Sequence, residues 1–414
     1  MVLGLRRRSG NNLVQRVLHQ PFRARFAQTL TWLGTLDYRS SIATDVSDDG
    51  SVVVGIAYTP NYDFRAFYWR NGRMEPIAPP RWLGWSQAYG VSGDGNVVVG
   101  NMMDSVGYMV AFKWTPSAGV EFLGALGGVG GTALAASYDG STIVGWAEAR
   151  NEDRLAFRWR QGQGMQALGA PATSVATGVS ADGSVVIGYV NPPGVLLAFR
   201  WTEAEGVRML TGFGGSNIAA QAITPDGSVI VGYADYPDHT RHACRWLDPS
   251  QPPQDIHTFS DSDSSQSTAT AVNRDGTIIM GQYWPSSGIF SRPFRWTPQR
   301  GMEDLNTVYA DLLTSGSVLF QALAMSPDGR FIVGSGINGL TGRREAFLLD
   351  TRVPCRAHSG DVDENGCVDD ADLLAVLFAF GQTGQDLGRV DVNCDETVDD
   401  ADLLTVLFAF GGGC

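Results

Sequence analysis

The chain of 414 residues is 43% hydrophobic and 18% charged, which argues against a wholly disordered polymer and leaves room for two or three packed domains. Its formal charge of −13 is unevenly spread, since residues 355–414 hold 13 Asp and Glu against two Arg and the remainder is nearly neutral. Acidity gathered in a short Asp-rich tail points to cation ligation and argues against nucleic acid as a partner; the basic run Arg6, Arg7 and Arg8 is too short to change that.

Residues 1–29 form a basic segment, cationic at its start but without the continuous apolar stretch of a secretory signal, and are read as disordered or as an atypical targeting sequence. No membrane span is expected. The longest notable apolar run, LLAVLFAF at 373–380, falls well short of the roughly 20 residues that cross a bilayer.

From residue 45 an eleven-residue pattern recurs: DVSDDGSVVVG at 45–55, GVSGDGNVVVG at 90–100, AASYDGSTIVG at 135–145 and GVSADGSVVIG at 178–188. AITPDGSVIVG at 222–232, AVNRDGTIIMG at 271–281 and AMSPDGRFIVG at 324–334 complete the series. The turn glycines are spaced by 45, 45, 43, 44, 49 and 53 residues, the length of one propeller blade. Asp-Gly between β-branched runs predicts a hairpin, so the turn residues Ser47, Asp49 and Asp94 are assigned to turn geometry and not to ligation.

Each hairpin is followed by a strand of the type AFYW (66–69), AFKW (111–114), AFRW (156–159 and 198–201), ACRW (243–246), PFRW (293–296) or AFLL (346–349). A short strand of the form Gly-Met/Val-x-x-Leu then ends the unit. Alternation along a strand puts Phe67 and Trp69 on one face, where an aromatic stripe serves as glue between blades. The seventh copy runs out at residue 351 with no fourth strand, whereas TWLGTLD at 31–37 resembles one and precedes the first hairpin. Pairing it with the last copy closes a ring and removes a free edge. The expected fold is all-β: a seven-bladed β-propeller of four-stranded blades over 30–352, closed by an N-terminal strand.

The signature A-x-x-V/I-S-x-D-G-x-V-V-V-G followed by A-F-R-W resembles the bacterial extracellular HAF-type repeat over about 320 residues, in all seven copies. The resemblance implies a secreted or surface propeller-like protein. Cys244 departs from the pattern in the fifth copy and is read as a small buried apolar residue without a partner.

Residues 353–414 carry two near-identical segments, DVDENGCVDDADLLAVLFAFG from 361 and DVNCDETVDDADLLTVLFAFG from 391, each an acidic loop followed by an apolar helix. Oxygen donors fall at loop positions one, three, five, seven, nine and twelve: Asp361, Asp363, Asn365, the Cys367 carbonyl, Asp369 and Asp372 in the first loop. The second offers Asp391, Asn393, Asp395, the Thr397 carbonyl, Asp399 and Asp402. A wrapped loop with oxygens at alternate positions meets a hard cation's demand for six to eight ligands, so two Ca²⁺ sites are expected. The second is the weaker, because Glu396 replaces the Gly366 that eases the turn in the first. The competing assignment is an N-cap role for Asp369 or Asp370 without metal.

An Asp at position twelve and the absence of a preceding helix make these segments similar to the duplicated loop–helix units of type I dockerin modules. That resemblance implies a cohesin-like or cell-surface partner, recognised through positions matching Asp370, Ala371, Asp400 and Ala401, although the familiar hydroxyl-bearing pairs are absent. Cys355, Cys367, Cys394 and Cys414 lack zinc-type spacing and are read as disulfides, which implies an extracellular or cell-surface location. Three pairings are open; a clasp from Cys355 to Cys414 would suit the module's internal symmetry.

No nucleophile elbow, phosphate loop or zinc triad is visible in the sequence, and His239 with His242 is the sole close histidine pair. The expected function is a non-catalytic scaffold, monomeric, whose propeller rim binds protein or carbohydrate. Tyr58, Tyr62, Trp146, Tyr189, Tyr233, Tyr236, Tyr283 and Trp284, in loops between second and third strands, suit sugar stacking. The alternative is a propeller enzyme of polysaccharide-lyase or glycosidase type with dispersed active-site residues.

Overall fold

A computed structural model describes residues 28–414 except 37–38, 60–62, 78–83, 152, 172, 261–263, 287–289, 353–357, 364, 384–386 and 396. The N-terminal segment up to residue 27, Tyr62, Cys355 and Glu396 therefore lie outside the described residues. Two compact units emerge, one of Thr29–Thr351 and one containing Arg352–Cys414.

The first unit is built from the repeat. Ser174–Val179 and Val185–Val190 pair antiparallel across their Asp-Gly turn; Leu197–Thr202, with A-F-R-W, adds a third strand and Gly206–Met209 a fourth. Five such four-stranded sheets stand apart. The fifth and sixth copies share one sheet through a single parallel pairing of Arg241 with Gln266. The fourth strand of the fifth copy shrinks to Gln254–Asp255, directly after Pro252 and Pro253, which have no N–H to donate.

Turn chemistry recurs from copy to copy. Ser180 Oγ donates to Asp182 Oδ1 (2.6 Å) and accepts the Val185 N–H, while Asp182 accepts the Ser184 N–H, so each turn is held by its own side chains. The Ser180 hydroxyl and then the Ser184 N–H hold the Asp182 carboxyl below the usual carboxylate range. The glycine closing each V-V-V-G run has a different cause. A Cβ on Gly55, Gly100 or Gly334 would stand 2.0, 1.9 or 1.8 Å from the backbone oxygen of Ile42, Gln87 or Gln321 on the paired strand.

Neighbouring sheets are welded by three devices. Each phenylalanine of the third strand is fully buried in a cluster with the preceding copy: Phe112 with Val52 and Val54, Phe157 with Val99, Phe199 with Val144. The residue between Phe and Trp lies over the tryptophan of the next copy, Lys113 over Trp159 (4.4 Å), Arg158 over Trp201 (4.8 Å) and Arg245 over Trp296 (4.7 Å). Finally a buried serine opening one copy accepts the N–H of the third-strand alanine before it, Ser86 from Ala66, Ser174 from Ala156 and Ser267 from Ala243.

The last copy meets the first in the same way. Ser41 accepts the Ala346 N–H at 2.8 Å, and Phe67 packs with Val333 and Leu348. Thr29–Gly34 pairs antiparallel with Arg343–Asp350, placing Trp32 opposite Phe347 and supplying the outer strand the last copy lacks. The result is a propeller-like all-β fold.

In the second unit, two ten-residue helices, Asp370–Ala379 and Asp400–Ala409, follow the acidic loops. The core is small and valine-rich: Val368, Val376, Val392, Val398 and Val406. Each helix's end is tied to the other half, Gly411 N–H to Val368 and Gly381 N–H to Val398. The cysteine pairing differs from the expected clasp. Cys414 bonds Cys367, with Cα atoms 4.7 Å apart, and Cys394 is also in a disulfide. The physical reason is that the last helix's end, through Gly411 and Gly412, is hydrogen-bonded to Val368, which brings Cys414 beside Cys367. Cys244 is buried and unbonded, and burial pushes its thiol up.

Candidate functional site

The two acidic loops bring together six of the twelve proposed ligand residues as carboxylate triads: Asp361, Asp363 and Asp372, then Asp391, Asp395 and Asp402, each set offering oxygens within 4.8 Å of one another. The loops wrap because their carboxylates accept backbone N–H groups. Asp372 Oδ1 takes Val362 (2.6 Å) and Asp363 (3.1 Å), and its Oδ2 takes Asp369 (2.9 Å). Burial raises the Asp372 carboxyl, but these N–H bonds outweigh it and hold it below the ordinary value. Asp402 repeats the arrangement with Asn393 and Asp399.

The other proposed ligands are placed differently. Asp369 and Asp399 are N-caps, accepting from Ala371 and Ala401 at 2.8 Å within capping boxes. Asn365 Oδ1 accepts the Cys367 N–H (2.8 Å), and Asn393 Oδ1 accepts the Asp395 N–H (2.9 Å); both brace the loop from within. Thr397 donates its N–H to Asp395 and bridges Thr383.

One atom is left over. Asp361 Oδ1 is buried with no hydrogen-bond partner among the described residues, while its Oδ2 accepts the Gly366 N–H at 3.1 Å. A buried carboxylate oxygen without a partner, set among two further carboxylates, fits a cation, and an all-oxygen donor set fits a hard ion. The triads could hold a metal ion.

The strand ends remote from the Asp-Gly turns carry the predicted aromatics, and they divide. Tyr236 stacks on Phe213 (4.7 Å) and donates to Asp255 Oδ2 (3.0 Å); burial, then that bond, push its phenol up to about 12. Tyr283 is buried and donates to Asp304. These two pack. Trp146 and Tyr233 lie beneath Arg154 (4.5 Å) and Arg241 (4.1 Å), and Trp284 is exposed. His242 bonds Asp255 through Nδ1 (2.7 Å) and stacks on His257 (4.3 Å), whose Nδ1 meets Ser267 Oγ (2.7 Å). His257, fifteen positions away in sequence, is therefore the neighbour of His242 that chain proximity hides. Ser267 is fully buried and accepts the Ala243 N–H of the preceding copy.

At the Asp-Gly end, Asp45, Asp48, Val91, Tyr138, Val179 and Ile223 line a cavity of about 180 Å³. Successive turns are stitched across it, Asp48 N–H to Gly93, Asp94 to Tyr138, Tyr138 to Ala181 and Ala181 to Pro225.

Sheets of four antiparallel strands welded face to face, with loops gathered at two ends, define a propeller-like protein. Among solved structures, the chain resembles the oligogalacturonate lyase of Vibrio parahaemolyticus at 10% identity, covering 79% of this chain and 96% of that one, with a TM-score of 0.52. An oligogalacturonate lyase in complex with manganese aligns at 12% identity over 79% and 94%, TM-score 0.52. A putative TolB from Agrobacterium tumefaciens aligns at 14% over 68% and 95%, TM-score 0.43. No family model and no curated protein matches the sequence. Among the described residues no helix is long and apolar enough to cross a membrane.

Proposed function

We propose that Thr29–Thr351 is a seven-bladed β-propeller serving as a non-catalytic extracellular or cell-surface binding scaffold, and that residues 353–414 form a calcium-stabilised docking or anchoring module. The observation that carries the scaffold reading is the asymmetry between the two ends of the sheets. At the Asp-Gly end nearly every copy repeats the same Ser–Asp turn; at the other end the copies diverge, with Trp146 and Tyr233 beneath arginines, Tyr189 half-buried and Trp284 exposed. Divergent loops on a rigid frame are where binding surfaces arise. The ligand is a carbohydrate or a protein, engaged by a monomer.

Calcium is favoured by oxygen-only triads at EF-hand-like spacing and by the orphaned Asp361 Oδ1, and the module's cysteines favour an oxidising compartment. The helices present Phe378 and Phe408, 84% and 86% exposed, an apolar surface suited to a cohesin-like or cell-surface partner. Titration with Ca²⁺ should raise the unfolding temperature of the module, and Asp361→Asn should weaken the first site; no shift on adding EGTA would overturn the calcium assignment. A second reading, a propeller enzyme, is favoured by the fold shared with oligogalacturonate lyases. A panel of immobilised polysaccharides separates the two, retention without cleavage supporting the scaffold and product release the enzyme.

A further inference from the structure

Three arginines occupy one register position in alternate copies, two residues ahead of the third-strand alanine: Arg154, Arg241 and Arg344. Each reaches back over the residue that follows the repeat glycine on the second strand. Arg154 covers Trp146, Arg241 covers Tyr233, and Arg344 bonds the Ser335 hydroxyl through Nε (3.2 Å) and Nη2 (2.9 Å). Their charges are met differently. Arg241 pairs with Asp235 at 2.9 Å, whereas the remaining bond of Arg344 runs from Nη2 to the neutral Gln321 Oε1 at 2.8 Å, and no carboxylate among the described residues pairs with it.

Arg344 is half-buried, and burial pulls its guanidinium below the ordinary value. A cation taken partly out of water without a counter-charge costs stability, and a ligand carboxylate would supply that charge. Tyr58 pairs with Ser40, beside the Ser41 that accepts the N–H of Ala346 two residues past Arg344; Ala88, between Gln87 and Tyr89, accepts the first copy's Thr44 hydroxyl at 2.9 Å, and the Tyr89 hydroxyl donates to Gln87 Oε1 at 2.8 Å. Gln321 and Gln87 hold equivalent places on the innermost strands of the last and second copies, each with its carbonyl against the repeat glycine. The group thus gathers at the mouth remote from the Asp-Gly turns, across the seam where the last copy meets the first.

We propose that Arg344 anchors the carboxylate of a uronate-bearing oligosaccharide at this mouth, with the phenols of Tyr58 and Tyr89 and the amides of Gln87 and Gln321 meeting sugar hydroxyls. Among the described residues Arg344 Nη1 has no bonding partner, and a guanidinium is matched in shape and charge to a carboxylate. Amides and phenols, which both donate and accept, suit hydroxyls better than they suit an acidic peptide. This inference rests on the scaffold reading and names its ligand class.

The test is calorimetric titration of the full chain with oligogalacturonate and oligoglucuronate, with the same oligomers after reduction of their carboxyls to alcohols, and with oligoglutamate. Uronate oligomers should bind, less tightly as salt rises, and the reduced oligomers should not. Arg344→Gln should weaken binding roughly 10- to 100-fold, the range for a hydrogen bond to a charged group. Gln321→Glu, which hands Arg344 an internal carboxylate, should weaken it similarly while leaving the melting temperature unchanged or higher, so lost binding is separable from lost folding. Equal binding of reduced oligomers, or variants that bind like wild type, would overturn this inference and leave the scaffold reading standing. Binding of oligoglutamate alone, or of no probe, would overturn the uronate assignment; the scaffold reading falls separately, if the immobilised polysaccharides are cleaved.

Discussion

Asp45 sits on a bulge of the innermost strand, where the other copies carry Gly90, Ala135, Gly178, Ala222, Ala271 and Ala324. Its carboxylate accepts the Val46 and Val91 N–H groups at 2.9 Å each, yet burial outweighs both, the nearby Asp48 adds to it, and the carboxyl is raised from 3.8 to about 7. A folded value above the unfolded one means that the folded state holds its proton more tightly, so stability is lost as pH rises from about 4 to about 7 and stays lost above that. At ~1.4 kcal/mol for each tenfold in acidity, the gap from 3.8 to about 7 amounts to at most about 4 kcal/mol. Asp45→Asn removes the charge but keeps one good acceptor, forfeiting a hydrogen bond worth about 1 kcal/mol. The variant should match wild type near pH 4 to 5 and exceed it by up to about 3 kcal/mol at pH 8. Urea unfolding of both proteins at pH 4.5, 6, 7 and 8 measures the difference. A gap that does not change with pH, or one in which wild type gains as pH rises, would refute the reasoning.

Gly188→Ala would set a Cβ 2.0 Å from the Val175 oxygen, and a thermal melt should register a loss of about 3 kcal/mol or aggregation. Deleting residues 29–36 should strip the outer strand from Arg343–Asp350, expose that edge, and give a sharply lower melting temperature or oligomers on size exclusion. Cys367→Ser opens a loop of sequence separation 47 and should destabilise the C-terminal unit by about 4 kcal/mol, read from its denaturant midpoint with calcium held constant.

What the sequence disclosed was local chemistry and period. Asp-Gly between β-branched runs dictates a hairpin whatever surrounds it, and A-F-x-W alternation assigns faces, so the sheets, the aromatic glue and the outer strand at 31–34 were all legible. Contacts set across paired strands, or by another copy, were not. The glycine of V-V-V-G is explained only by a carbonyl on its partner strand, and the x of A-F-x-W only by a tryptophan some 45 residues on, as with Lys113 and Trp159. In the acidic loops, spacing located Asp361, Asp363 and Asp372, but it could not show that Asp369 would cap a helix, since capping and ligation draw on the same residue type. Of the three open pairings, the Cys355–Cys414 clasp that suits the internal symmetry does not form, because symmetry says nothing of where the final glycines turn.

The bond from Ala346 to Ser41 joins residues 305 apart, and the strand Thr29–Gly34 has no partner until Arg343–Asp350 exists. A ribosome adding roughly 5–20 residues per second needs about 15–60 s to traverse that interval. Throughout it, Thr29–Gly34 and the bare flank of the first sheet wait beside a growing arc of nearly identical units, any of which offers a plausible wrong neighbour. Fidelity then falls to the residues that break the repetition at the seam. Trp32 against Phe347, and a last copy that ends without its own fourth strand, mark the one junction at which the ring is meant to shut.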